Sequence, residues 1–251
     1  MKKTALLAAV AAVRRHACLG SLAATLVLPT ATLNLTRPRG DTWQVEGALG
    51  GASGAVGYQI DGGIGSTDAD GSDIDHHTIA GHLYWHTDNW NLGAVFATTS
   101  IEDDVTSVDE TVYGIEGTVN VAPNAVIFGS YTVGETEFLI DLDTWNADIG
   151  LNYYFTDNFR VSGTLGTGNL DAGGGADVDT SSYGISGEWQ MASAPVSFRA
   201  GWSTIDTDAF GEYDTFSLGV RWNFGGTLRE RDTATPFETQ TGLYQRVYAI
   251  Q

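Results

Sequence analysis

Five carboxylates and three guanidiniums are spaced so that they could act together on a solute. Glu46, Asp61, Glu116, Asp148 and Glu188 alternate with apolar neighbours, and so do Arg160, Arg199 and Arg221. Fixed charges of both signs on the polar side of one wall make a transverse field, which selects among permeating ions and polar solutes. The same charges support a second reading, in which pairs such as Arg199 and Glu188 fill and stiffen a narrow interior. Gln59, His82, Tyr84, His86, Asn120, Asn146, Asn152, Gln190 and Asn223 share their face.

Other chemistries fail on spacing. Asp68-Ala69-Asp70-Gly71-Ser72-Asp73 starts like a calcium loop, but Asp73 stands where the loop needs Gly and Ile79 where it needs Glu. On a strand, His82 and His86 are about 13 Å apart, too far to share one ion. No nucleophile has a base on a matching strand face, so no catalytic residue, metal or cofactor is expected, and no enzymatic activity. Acidic loops around Asp73, Asp103, Glu135 and Asp206 could hold divalent cations, but solvated loop tips explain them more simply.

The elements that must carry these residues are two-faced strands. In the hairpin at 143–171, Trp145, Ala147, Ile149, Leu151, Tyr153 and Phe155 alternate with Thr144, Asn146, Asp148, Gly150, Asn152 and Tyr154. That period of two means one apolar and one polar face. After the turn at 156–158, Phe159, Val161 and Leu165 alternate with Arg160, Ser162 and Thr164. Each strand runs for about ten residues, the length that crosses a bilayer at a tilt. Aromatic rings stand at both strand ends, as two interfacial girdles require.

The hairpin is one copy of a repeat. Strands entering from a long acidic loop begin near Thr42, Thr78, Thr111, Thr144, Ser182 and Thr215. Short turns are expected at 50–53, 87–89, 122–124, 156–158 and 192–194, and long loops at 66–77, 102–110, 135–143, 169–181 and 206–214. Strict alternation of short and long connections favours an up-and-down barrel over a propeller or solenoid. Eleven strands are counted directly. A twelfth, which antiparallel closure requires, falls at 30–36 or at 241–250.

All 31 acidic residues follow residue 40, against Arg160, Arg199, Arg221, Arg229, Arg231 and Arg246. A phosphate-tracking surface is excluded by that balance, so no nucleic-acid partner is expected. Cys18 is the one cysteine, which excludes an intrachain disulfide. Residues 1–40 read as an export segment: Lys2 and Lys3 precede an apolar run at 5–13, Arg14-Arg15-His16 interrupts it, and a second apolar run follows at 17–28. No cleavage site is assigned. The barrel is then expected over 41–224, with a tail at 225–251 that is periplasmic, luminal or a closing strand.

The closing strand Phe216-Ser217-Leu218-Gly219-Val220-Arg221-Trp222-Asn223-Phe224 alternates and ends on Phe. With the hairpin repeat, it resembles the Gram-negative outer-membrane porins and related barrels over about residues 41–224. The resemblance implies an all-β, antiparallel up-and-down transmembrane β-barrel of twelve strands in the outer membrane. It implies passive diffusion of small hydrophilic solutes or ions, or else a plugged structural or surface-interaction barrel. The implied partners are outer-membrane lipid and lipopolysaccharide, the barrel-assembly machinery and small polar solutes; a homo-oligomer is left open. Such proteins usually stop at the terminal Phe, whereas this chain continues.

Overall fold

The computed structural model describes residues 23–33, 41–69, 72–102, 107–137, 142–171, 173, 177–209, 211–223 and 226–238. They form β1 (Ala23–Leu33), β2 (Asp41–Ser53), β3 (Val56–Ala69), β4 (Ser72–His86), β5 (Trp90–Glu102) and β6 (Ser107–Ala122). Then come β7 (Ala125–Glu137), β8 (Leu142–Thr156), β9 (Phe159–Asp171), β10 (Asp177–Gln190), β11 (Val196–Thr207) and β12 (Gly211–Asn223). A helix, α1 (Leu228–Ala234), follows.

The strands make a closed barrel in which each pairs antiparallel with its sequence neighbours and β1 closes onto β12. The first strand of the ring, β1, starts at Ala23, ahead of residue 41. With eleven strands the first and last would run parallel; β1 makes the seam antiparallel on both sides. The candidate at 30–36 contributes its first residues to β1, while 34–36, 241–250 and Phe224 lie outside the described residues. Between Val27 and Thr30 the register of β1 shifts, at Pro29, which has no N–H to give the ladder.

Alternation decides the faces. Ile149, Leu165 and Tyr183 are register neighbours across β8, β9 and β10, and all three face outward. Leu165 is 63% exposed, as are Leu83 and, at 61%, Leu218, values that mark a lipid-facing wall and not a core. From Trp145 to Phe155 is ten residues, which at ~3.4 Å each and ~40° of tilt spans about 26 Å, close to the apolar band of such barrels. Tyr131 and Trp145 stack at 6.2 Å toward the long-loop end, and Phe155 and Phe159 at 5.4 Å beside the short turn at 157–158. Among the described residues no helix is long and apolar enough to cross a membrane.

The connections differ from expectation, since strands extend into every expected long loop: β6 starts at Ser107, β7 runs to Glu137, β10 starts at Asp177 and β12 at Gly211. The first short turn sits at 54–55, with Gly54 at φ 61° in the left-handed region, and 50–53 belong to β2. The expected loop at 66–77 is mostly ladder, since β3 continues to Ala69 and β4 starts at Ser72.

Leu165→Arg places a guanidinium midway along a lipid-facing strand and is expected to destabilise the barrel by about 2–4 kcal/mol. Equilibrium unfolding in urea from lipid vesicles measures this; an unchanged midpoint would remove Leu165 from the lipid-facing wall.

Candidate functional site

The polar face turns inward, and seven of the eight charged residues named from the sequence border one space. Glu46, Asp61, Glu116, Asp148, Arg160, Arg199 and Arg221 line one cavity of ≈ 780 Å³. Glu188 is buried in the adjoining wall. Two clusters organise this interior, and both include residues that follow β12.

The first cluster is built on Glu188. In the ladder it stands directly between Arg160 of β9 and Arg199 of β11. Ser197 Oγ donates to its Oε1 at 2.5 Å. Its Oε2 lies 3.3 Å from Arg160 Nη2 and 3.2 Å from Arg221 Nη1. Arg231 of α1 adds a two-pronged contact, Nη1 to Oε1 at 2.6 Å and Nη2 to Oε2 at 3.2 Å. Asp232 beside it accepts from Arg160 Nη1 and from the Tyr154 hydroxyl, both at 2.8 Å. The expected Arg199–Glu188 pair is therefore corrected: Arg199 reaches Glu238 at 3.8 Å, because three other guanidiniums already crowd Glu188.

The chain reaches this position through α1. Thr227 caps the helix: its hydroxyl accepts from the Glu230 N–H, and the Glu230 carboxylate accepts from the Thr227 N–H. Leu228 is fully buried. Arg229 donates to the Pro123 carbonyl, its N–H donates to Asp157 O at 3.0 Å, and its guanidinium lies 5.4 Å over the Tyr154 ring. Pro123 and Asp157 sit in short turns, so the start of α1 lies at that end of the barrel. Residues 226–238 lie against the polar face of the wall, through Arg231 on Glu188 and Phe237 on Gln59. The Thr-x-x-Glu spacing of Thr227 and Glu230 is the sequence signal for this helix; nothing in the sequence paired Arg231 or Asp232 with residues on β8, β9 or β10.

The second cluster is built on His82. Its Nδ1 lies 2.5 Å from Glu116 Oε1 and its Nε2 2.8 Å from Asp61 Oδ1, the latter off the hydrogen-bonding direction. Glu116 comes from β6, across β5, where its register partner is Gly93; a Cβ there would meet Tyr84 Cβ at 2.5 Å. Phe237 covers the cluster, stacking on the His82 ring at 5.7 Å and meeting Tyr84 edge-on at 5.1 Å. Gln59 holds the Phe237 backbone from both sides, donating to its carbonyl at 2.7 Å and accepting from its N–H at 3.2 Å. Both ring nitrogens of His82 face carboxylates, which leaves none to activate a hydroxyl. His86 is a separate contact, to Asn91 Oδ1 at 2.7 Å.

Burial pushes the Asp232 carboxyl up, but Arg160 and Arg231 outweigh it and hold the group below its ordinary value of 3.8. For Arg231, burial lowers the pKa, and Asp232 and Glu188 more than restore it. A depressed folded pKa stabilises docking fully above the ordinary value, and that stability is lost as pH falls through the depressed one.

A closed, outward-apolar barrel with a charged lumen defines the class: the fold is that of the outer-membrane β-barrels. The KdgM porin shares it at a TM-score of 0.57 and 7% identity, over 82% of this chain and 100% of that one. The β domain of the Bordetella autotransporter BrkA matches at a TM-score of 0.53 and 10% identity, over 81% of this chain and 100% of that domain. A loop L8 deletion mutant of OmpT, an outer membrane protein of Vibrio cholerae, matches at 0.51 and 10% identity, over 82% and 99%. At these identities the likeness is of fold alone. No protein-family model matches the chain, and no curated protein sequence does.

A spin label at Thr233→Cys, in a Cys18→Ser background, is expected to be immobile from neutral pH down to the ordinary Asp232 value of 3.8 and to become mobile below it. Electron paramagnetic resonance across a pH series reads this. A label released near neutrality, or immobile in strong acid, would contradict the Asp232 anchor.

Proposed function

We propose that the protein is a porin-like channel of the Gram-negative outer membrane, passing small hydrophilic solutes or ions by diffusion. Residues 226–238 narrow its short-turn mouth. The observation that carries this reading is the charged cavity of ≈ 780 Å³ running along the strand wall, since an interior serving only as packing would leave no such space. The fold shared with the KdgM porin supports it. Outer-membrane lipid and lipopolysaccharide would surround the apolar belt, the barrel-assembly machinery would insert the barrel, and a homo-oligomer is compatible with this surface. The function is transport, not catalysis.

A second reading, a plugged structural or surface-interaction barrel, is favoured by the docking of α1 and Phe237 in the lumen. Single-channel recording of the refolded full chain in planar bilayers separates the two. A channel gives discrete steps, and Asp232→Asn raises conductance several-fold, because removing one partner of a buried pair costs about 3–5 kcal/mol and weakens docking. Silence from both folded, inserted proteins would leave the plugged barrel standing.

Arg199→Glu reverses one luminal charge and is expected to move ion preference toward cations in reversal-potential measurements under a salt gradient. An unchanged reversal potential would remove Arg199 from the conduction path.

A further inference from the structure

Among the described residues, the wall carboxylate in ion-pair contact with Arg160 and Arg221 is Glu188, whose Oε2 serves both. Arg199 has no such pair with the wall among them. The tail supplies further carboxylates. Asp232 Oδ2 is 2.8 Å from Arg160 Nη1, and Glu238 Oε1 is 3.8 Å from Arg199 Nη2.

These two contacts differ in kind. The Arg160 and Asp232 side chains are 6% and 13% exposed, so their pair is desolvated. The Glu238 side chain is 56% exposed at a longer distance, the geometry of an anion in exchange with water. Both arginines, together with Asp232 and Glu238, line the same cavity. Arg160 and Arg199 are both register partners of Glu188, two strands apart. Their backbones are therefore about 10 Å apart, and two long side chains at that spacing can converge on one small molecule.

We propose that this arginine face is a binding site for small carboxylate solutes, and that Asp232 and Glu238 are tethered carboxylates occupying it until such a solute displaces them. The proposal deepens the channel reading by naming the solute class, and rests on that reading for passage but not for binding. Guanidinium recognises a carboxylate by paired N–H donors, which a tail carboxylate and a free one present alike. A tethered group competes at an effective concentration of order millimolar, so displacement requires an abundant solute or one with two carboxylates.

The test is calorimetric titration of succinate into the detergent-refolded full chain, with ethylenediammonium as a dication of similar size. Succinate is expected to bind Glu238→Gln several-fold more tightly than the unsubstituted chain, and Asp232→Asn/Glu238→Gln tighter still. Adding Arg199→Gln to Glu238→Gln should cancel the gain, and ethylenediammonium should show no gain in either variant. Glu238→Gln carries the test if Asp232→Asn loosens the helix, because Glu238 is exposed and outside the Glu188 network. Equal succinate affinity in all variants, no binding in any, or a gain that survives Arg199→Gln would overturn the proposal. Conductance of the same preparations separates the two readings: current steps without succinate binding would overturn the site and leave the channel, and binding without current would do the reverse.

Discussion

A sheet in lipid has no water to satisfy an open edge, and each unpaired backbone group costs several kcal/mol. The rest of this molecule depends on meeting that constraint. Strand β1 pairs with β2 on one side and β12 on the other, leaving no edge in the ring. Once the sheet is closed, alternation leaves each strand residue two destinations, lipid or lumen. Large apolar side chains take the first. Carboxylates, guanidiniums and His82 take the second, and are forced within reach of one another.

That crowding explains why the chain beyond β12 enters the barrel. One wall carboxylate, Glu188, faces several guanidiniums, and a buried cation without a partner is costly. The tail supplies Asp232 for Arg160 and brings Arg231 back onto Glu188, so the interior charges are compensated as a set. A helix as short as α1 would not persist alone. It is held by the reciprocal Thr227 and Glu230 cap, the buried Leu228 and the ion pairs of its last turn. The same segment carries Phe237, whose ring covers His82 while Gln59 fixes its backbone. The lumen thus has an arginine face across β9 to β12 and a histidine-carboxylate face across β3 to β6, with one peptide spanning both.

Much of this was legible in the order of residues. The period of two and the rings at strand ends specified an up-and-down barrel, whereas the expected alternation of short and long connections is largely lost because strands extend into the long loops. The inward positions of Glu46, Asp61, Glu116, Asp148, Arg160, Glu188, Arg199 and Arg221 followed from it, because facing is a local property of a strand. Boundaries were less legible. The turn at Gly54 and the long β3–β4 ladder depend on pairing with a neighbour, and the closing strand lay in an apolar stretch with the hydropathy of an export signal.

By itself, then, the sequence determined which residues face lipid and which face the lumen, since side-chain direction needs only the backbone of the strand that carries it. Tertiary structure alone decided which charges meet. Arg160 and Asp232 are 72 positions apart, and Gln59 and Phe237 are 178 apart. Such contacts exist only after ring closure sets the register and the tail finds the one wall whose charges it completes.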